Sequence, residues 1–196
     1  MYIQIEPKPK AFLNFYLLAC DKKAGWRVKK AAFEEILKEE VGPNDGESVI
    51  IMTGSKPSET ELQTVEKLTK SYKYYIVFPN DGLINEIKRL TKESGKKRND
   101  IFIIDKKTFK TIAVDIKTCG DPSPETIIAH LSEGVNQASC LILDITGKID
   151  KKKLIKGLRG GWSKGLKFLF LNYHGQWYLI DKAKVFHRNW LIKNVR

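Results

Sequence analysis

The chain has 196 residues, 35 Lys and Arg against 23 Asp and Glu, a formal charge of +12 and 42% hydrophobic residues. That length and composition suit one domain, or one domain with a small appendage, and exclude collagen-like, disulfide-scaffold and wholly disordered chains. The cysteines, Cys20, Cys119 and Cys140, form no CxxC or zinc spacing and read as reduced cytosolic thiols. The apolar stretch from Ala11 to Cys20 follows Pro7 and Pro9 and is too short to span a bilayer, which speaks against a membrane segment or a signal peptide.

An amphipathic helix is predicted from about Trp26 to Val41, with Val28, Ala31, Ala32, Ile36 and Leu37 on one face. Gly42-Pro43-Asn44-Asp45-Gly46 is a dense turn cluster, so residues 1–48 read as a small helical N-terminal appendage to a domain spanning 49–196. The apolar run Val49–Met52 opens that domain. Ser58 is an N-cap with Glu61 at the third helical position, a capping box, and Leu62, Val65 and Leu68 keep helical spacing to Tyr72. Tyr74–Phe78 reads as a strand, Pro79–Gly82 as a turn and Leu83–Thr91 as a short helix. Ile101–Ile104 and Ile112–Val114 read as a hairpin across the polar connector Asp105–Lys110. Ser123-Pro124-Glu125 starts a helix running to about Ala138, with Pro at the first helical position. Cys140–Ile145 is a buried strand, Asp150–Leu158 a basic helix, and Phe168–Leu171 with Gln176–Ile180 a second hairpin across His174-Gly175. The pattern predicts an α/β fold, a central mixed sheet flanked by helices.

Charge is distributed unevenly. Residues 1–50 carry 8 basic and 8 acidic side chains, residues 51–144 carry 14 and 13, and residues 145–196 carry 13 and 2. A block this basic repels itself unless a polyanion lies against it. Trp162, Tyr173, Trp177, Phe186 and Trp190 are interleaved with the bases, as in surfaces that grip phosphates and stack bases. Lys151, Lys152, Lys153, Lys156, Arg159, Lys164 and Lys167 are the expected nucleic-acid contacts. The alternative is a solubilising face over ordinary core aromatics.

Two acids stand beside the first hairpin. Asp100 precedes Ile101–Ile104, and Asp115 closes Ile112–Val114 with Lys117 two residues on. Strand alternation puts Asp115 and Lys117 on one face, and a hairpin brings Asp100 to the same edge. Paired carboxylates hold Mg²⁺ or another divalent cation, which acidifies water and neutralises a pentavalent phosphate, while a lysine stabilises the transition state. The plain alternative is a salt bridge between Asp115 and Lys117 on an edge strand. No GxSxG, P-loop or post-strand GxGxxG is present. The segment Gly157–Gly165 reads as a phosphate-gripping loop or a connector. His130 shares a helix face with Gln137, and His174 falls in a turn.

Asn99-Asp100-Ile101-Phe102-Ile103-Ile104 followed by Val114-Asp115-Ile116-Lys117-Thr118 resembles the PD-(D/E)xK nuclease signature, with Asn99 where that pattern has Pro. Thr60-Glu61-Leu62, Val135-Asn136-Gln137-Ala138 and Leu141-Ile142-Leu143-Asp144 extend the likeness over roughly residues 58–181, closest to the C-terminal tRNase toxin domain of contact-dependent inhibition proteins. The resemblance implies a PD-(D/E)xK-like core in which Glu61, Asp100 and Asp115 bind metal, with Glu59 and Glu66 as rivals of Glu61. It makes Lys117 the catalytic lysine and Thr118 and Gln137 auxiliary polar groups. It further implies a metal-dependent endonuclease acting on RNA, tRNA in particular, with an acidic immunity protein as partner and no membrane. Its place of action is the cytoplasm, that of a target cell where the domain is delivered as part of a secreted toxin. The alternatives are a DNA endonuclease of the same superfamily, a non-catalytic nucleic-acid-binding module, or a protein-interaction domain with a solvated basic tail.

Overall fold

Parallel strands cannot be joined by tight turns, so each parallel step in this chain is carried by a helix. A computed structural model describes residues 2–5, 9–40, 48–91, 99–187 and 189–195; the turn cluster at 42–46 lies outside them. The chain divides into two compact units, residues 1–95 with 100–112, and residues 96–99 with 113–196. Among the described residues, no helix is long and apolar enough to cross a membrane. Both units are α/β with mixed strand pairing.

The first unit runs β1 (Tyr2–Ile5), α1 (Pro9–Cys20), α2 (Trp26–Glu40), β2 (Val49–Met52), α3 (Glu59–Ser71), β3 (Tyr74–Phe78), α4 (Asp81–Thr91) and β4 (Ile101–Asp105). β1, β2 and β3 are parallel, and β4 returns antiparallel to β3 with Ile76 opposite Ile103. Residues 1–48, expected as a helical appendage, therefore supply a strand that pairs with β2 along its length, Tyr2 opposite Val49 through Ile5 opposite Met52. The boundary between the units falls after residue 112, not after residue 48.

An aromatic core holds this unit. Phe15 and Phe33 lie 5.0 Å apart, Phe33 lies 4.8 Å from Tyr75, and Tyr16 5.1 Å from Phe102, all between ring centroids. Phe33 decides which side of α2 is buried. Lys29, Phe33 and Ile36 face inward while Val28 is 54% exposed, so the inward stripe is turned from the one expected through Val28 and Ala31. The larger ring gains more from burial than Val28 or Ala31 would. Lys29 follows it inside because its ammonium has work at the end of α1, donating to Ala19 O at 3.0 Å and Asp21 O at 2.9 Å. Those carbonyls lack helical partners, and a cation suits the negative end of the helix.

The second unit runs from β5 (Thr111–Cys119, of which Ala113 onward belongs here) through α5 (Pro124–Val135), β6 (Cys140–Ile145), α6 (Lys151–Gly161), β7 (Phe168–Tyr173) and β8 (Gln176–Asp181) to the short α7 (Lys182–Phe186) and α8 (Trp190–Asn194). β5, β6 and β7 are parallel and β8 is antiparallel to β7. The β7–β8 turn carries His174 and Gly175 with φ of 53° and 77°, the backbone twist that a two-residue hairpin requires. Leu141, Leu143, Leu169 and Leu171 pack with Ile127 and Leu131 of α5 and Leu154 and Leu158 of α6 in one buried cluster. α6 turns Gly157, Gly160 and Gly161 toward α5. A Cβ at these positions would stand 2.9 Å from Ile127 Cβ, 2.7 Å from Ile128 Cδ1 and 2.8 Å from Leu131 Cδ1, so the two helices approach more closely than bulkier residues allow.

The Lys29 bonds give a direct test of the first unit. Lys29→Ala is expected to lower unfolding stability by about 1–3 kcal/mol, the worth of hydrogen bonds from a charged donor with its buried stem. Urea denaturation at neutral pH measures it, and an unchanged midpoint would show that burying the ammonium cancels what its bonds contribute.

Candidate functional site

Strand register sets the face on which the Asp-x-Lys motif lies. Asp115 pairs with Leu141 and Lys117 with Leu143, so both project on the side of β5 that α5 and α6 cover. Lys117 Nζ is 3.3 Å from Asp115 Oδ2, with the two side chains 15% and 1% exposed. Both Asp115 carboxylate oxygens are out of contact with solvent. A carboxylate among leucines would cost several kcal/mol without a counter-charge, and the ammonium supplies one.

The last turn of α5 roofs this pair. A Cβ on Gly134 would stand 2.9 Å from Asp115 Oδ2 and 2.6 Å from Leu141 Cδ2, so glycine leaves the room that the carboxylate occupies. The preceding residue, Glu133, puts Oε1 3.6 Å from Lys117 Nζ with its side chain 56% exposed. Lys117 thus bridges a buried carboxylate and an exposed one. The sequence reading did not single out Glu133.

The other expected residues are placed as follows. Thr118 lies on the opposite face of β5, level with Asp144 on β6 and Asn172 on β7. Gln137 follows α5 and its backbone N–H donates to Gly134 O at 2.8 Å. Glu61 belongs to the first unit, where its carboxylate accepts from Ser58 N at 2.6 Å and Ser58 Oγ at 2.8 Å, completing the capping box read from the sequence. Of its rivals, Glu59 accepts from Gln63 Nε2 at 3.2 Å and Glu66 is half-buried on α3. Asp100, immediately before β4, also belongs to the first unit. The second unit brings Asp115 and Lys117 together and adds Glu133.

Another polar pair was not anticipated. Asn172 Nδ2 donates to Asp144 Oδ1 at 2.8 Å, and both residues are at most 3% exposed. Asp144 lies in the run Cys140–Ile145 that reads as a buried strand, and the reading gave its carboxylate no partner. Two of the three thiols, Cys119 and Cys140, are buried. Burial pushes Cys119 up, with Asp121 adding to it, and burial does the same to Cys140, so neither is a ready nucleophile.

Of the seven expected nucleic-acid contacts, Lys152, Lys153, Lys156, Lys164 and Lys167 are exposed. Lys151 and Arg159 serve the fold as well: Lys151 Nζ donates to Ile192 O, and Arg159 Nε to Val185 O at 3.2 Å, tying α8 and α7 to α6. The loop carrying Lys164 and Lys167 lies against the end of α5. A Cβ on Gly165 would be 2.7 Å from Val135 Cγ1, and Lys167 N donates to Ser139 O at 2.7 Å. Exposed bases therefore flank the turn that roofs Asp115.

Among the described residues, no three His, Cys, Asp or Glu side chains gather as a metal-holding group. Comparison with known families, with characterised proteins and with solved structures returns no match.

Gly134→Ala tests the fit of α5 over Asp115. Alanine favours the helix by about 1 kcal/mol, but overpacking against a fully buried Leu141 costs about 1–3 kcal/mol. The net expectation is destabilisation of about 1–2 kcal/mol by thermal or urea unfolding, and a stabilised variant would mean that α5 rides higher over β5 than described.

Proposed function

We propose that this protein is a nuclease that hydrolyses RNA phosphodiester bonds, with Asp115 and Lys117 at its centre. The observation that carries the reading is the Lys117 ammonium held 3.3 Å from a buried carboxylate beneath a helix turn flanked by the exposed Lys164 and Lys167. The surface lysines collect the phosphate backbone, and Lys117 donates to a non-bridging oxygen as negative charge grows on phosphorus. Asp115 keeps that ammonium oriented. The donor chemistry suits a divalent cation: Asp115 is a hard, anionic oxygen ligand, and Glu133 offers a second carboxylate on the other side of the Lys117 ammonium. Such an ion, when bound, supplies an acidic water and neutralises charge at phosphorus.

The basic face favours the same class of substrate. α6 opens with Lys151, Lys152 and Lys153 behind a single acid, the N-cap Asp150, whose carboxylate accepts from Lys153 N at 2.9 Å and lies 3.9 Å from Lys153 Nζ. The cations outnumber that acid, and an anionic backbone lying across them would offset the excess. The PD-(D/E)xK resemblance points to tRNA among RNAs and to an acidic immunity protein as the natural partner of such a face, by electrostatic complementarity. A second reading, binding without cleavage, is favoured by one observation, the lack of solvent contact at the Asp115 oxygens.

Incubation of purified protein with tRNA and with plasmid DNA, each with Mg²⁺ or chelator, separates these readings. Cleavage of tRNA that chelator stops, and that Asp115→Asn reduces at least ~100-fold in a protein that still unfolds cooperatively, is the expected result. Binding with no cleavage at any Mg²⁺ concentration leaves the second reading standing, and cleavage confined to plasmid transfers the activity to DNA.

The lysines of α6 are tested by salt. Replacing Lys152, Lys153 and Lys156 together with alanine should reduce the slope of log affinity against log salt by about two to three, one increment of roughly 0.7–0.9 for each lost phosphate contact. An unchanged slope in a filter-binding titration would remove α6 from the binding surface.

A further inference from the structure

Lys117 is held from two sides, and the sides are unequal. Its ammonium lies 3.3 Å from Asp115 and 3.6 Å from Glu133, but Asp115 is 1% exposed and Glu133 56%. Attraction strengthens as the surroundings lose water, so the ammonium is drawn inward far more strongly than outward. Drawn fully inward, it would neutralise Asp115 and offer little charge to a phosphate. Glu133 opposes that pull, and its height above the strand is set by Gly134, the next residue, which seats the α5 turn directly on Asp115 and Leu141. An acid beside exposed lysines at a site for polyanions is otherwise misplaced, because it repels the backbone that those lysines attract.

We infer that Glu133 is a positioning residue for Lys117: it holds the ammonium on the solvent side of Asp115 and gives it up to a phosphate oxygen of the incoming backbone. An exposed carboxylate suits the task, since solvent-exposed ion pairs are weak enough for another anion to replace. What Lys117 does after release rests on the nuclease reading; the contact itself does not.

Glu133→Gln in the full chain tests the inference through two readouts. One is reductive methylation of the Lys117 amine by formaldehyde and a borohydride reagent, followed by mass spectrometry; the other is cleavage of tRNA over a range of concentrations. Methylation of Lys117 should fall about fivefold while that of the exposed Lys152 stays constant, and kcat should fall by a similar factor with KM within about twofold. Glu133→Asp, which keeps the charge on a shorter stem, should lie between Glu133→Gln and the parent in both readouts. Unchanged methylation of Lys117, or a loss carried by KM alone, overturns the inference. A methylation response in a protein that cleaves neither RNA nor DNA upholds the contact and rejects the nuclease reading instead.

Discussion

A carboxylate in the middle of an apolar sheet face imposes conditions on everything around it. Asp115 points into the same layer as Leu141 and Leu143, and no water reaches its oxygens. An ammonium must therefore come to it on a stem long enough to lie along the strand, and Lys117 does so from the next position on that face. The covering helix must also leave room, which limits residue 134 to one without a Cβ. These demands fall on three separate stretches of sequence, and they meet only when β5, β6 and α5 are packed together.

Lysine serves the second unit in two electrostatic regimes. Lys117 works where water is scarce, so one neighbouring charge dominates its behaviour. Lys152, Lys153 and Lys156 stand in water, where each charge is screened and contributes little alone. The first unit has no comparable excess in its sequence, with 18 basic and 16 acidic residues over positions 1–95 and 100–112, and its coherence comes instead from tilted aromatic rings.

Signals confined to neighbouring residues were legible. The Ser58–Glu61 capping box, the His174-Gly175 turn and the shared face of Asp115 and Lys117 each depend on spacings of four residues or fewer, and each stands where the sequence placed it. Features set by distant partners were hidden. β1 has four residues whose strand character depends on β2, more than 40 positions later, and the tilt of α2 depends on which of its side chains meets Phe15 and Tyr75. Glu61 illustrates a different limit: the acid singled out as a ligand is the same one that closes its own helix cap, and one-dimensional pattern cannot tell these uses apart. Glu133 escaped notice because its meeting with Lys117 is arranged by packing rather than spacing.

The glycine seam between α5 and α6 has a mechanical consequence. Because Ile127, Ile128 and Leu131 sit almost against the α6 backbone, the two helices behave as a single plate with little freedom to slide past each other. Any lifting of α5 away from β5 would therefore either open the close contacts at Gly157, Gly160 and Gly161 or carry α6 along with it.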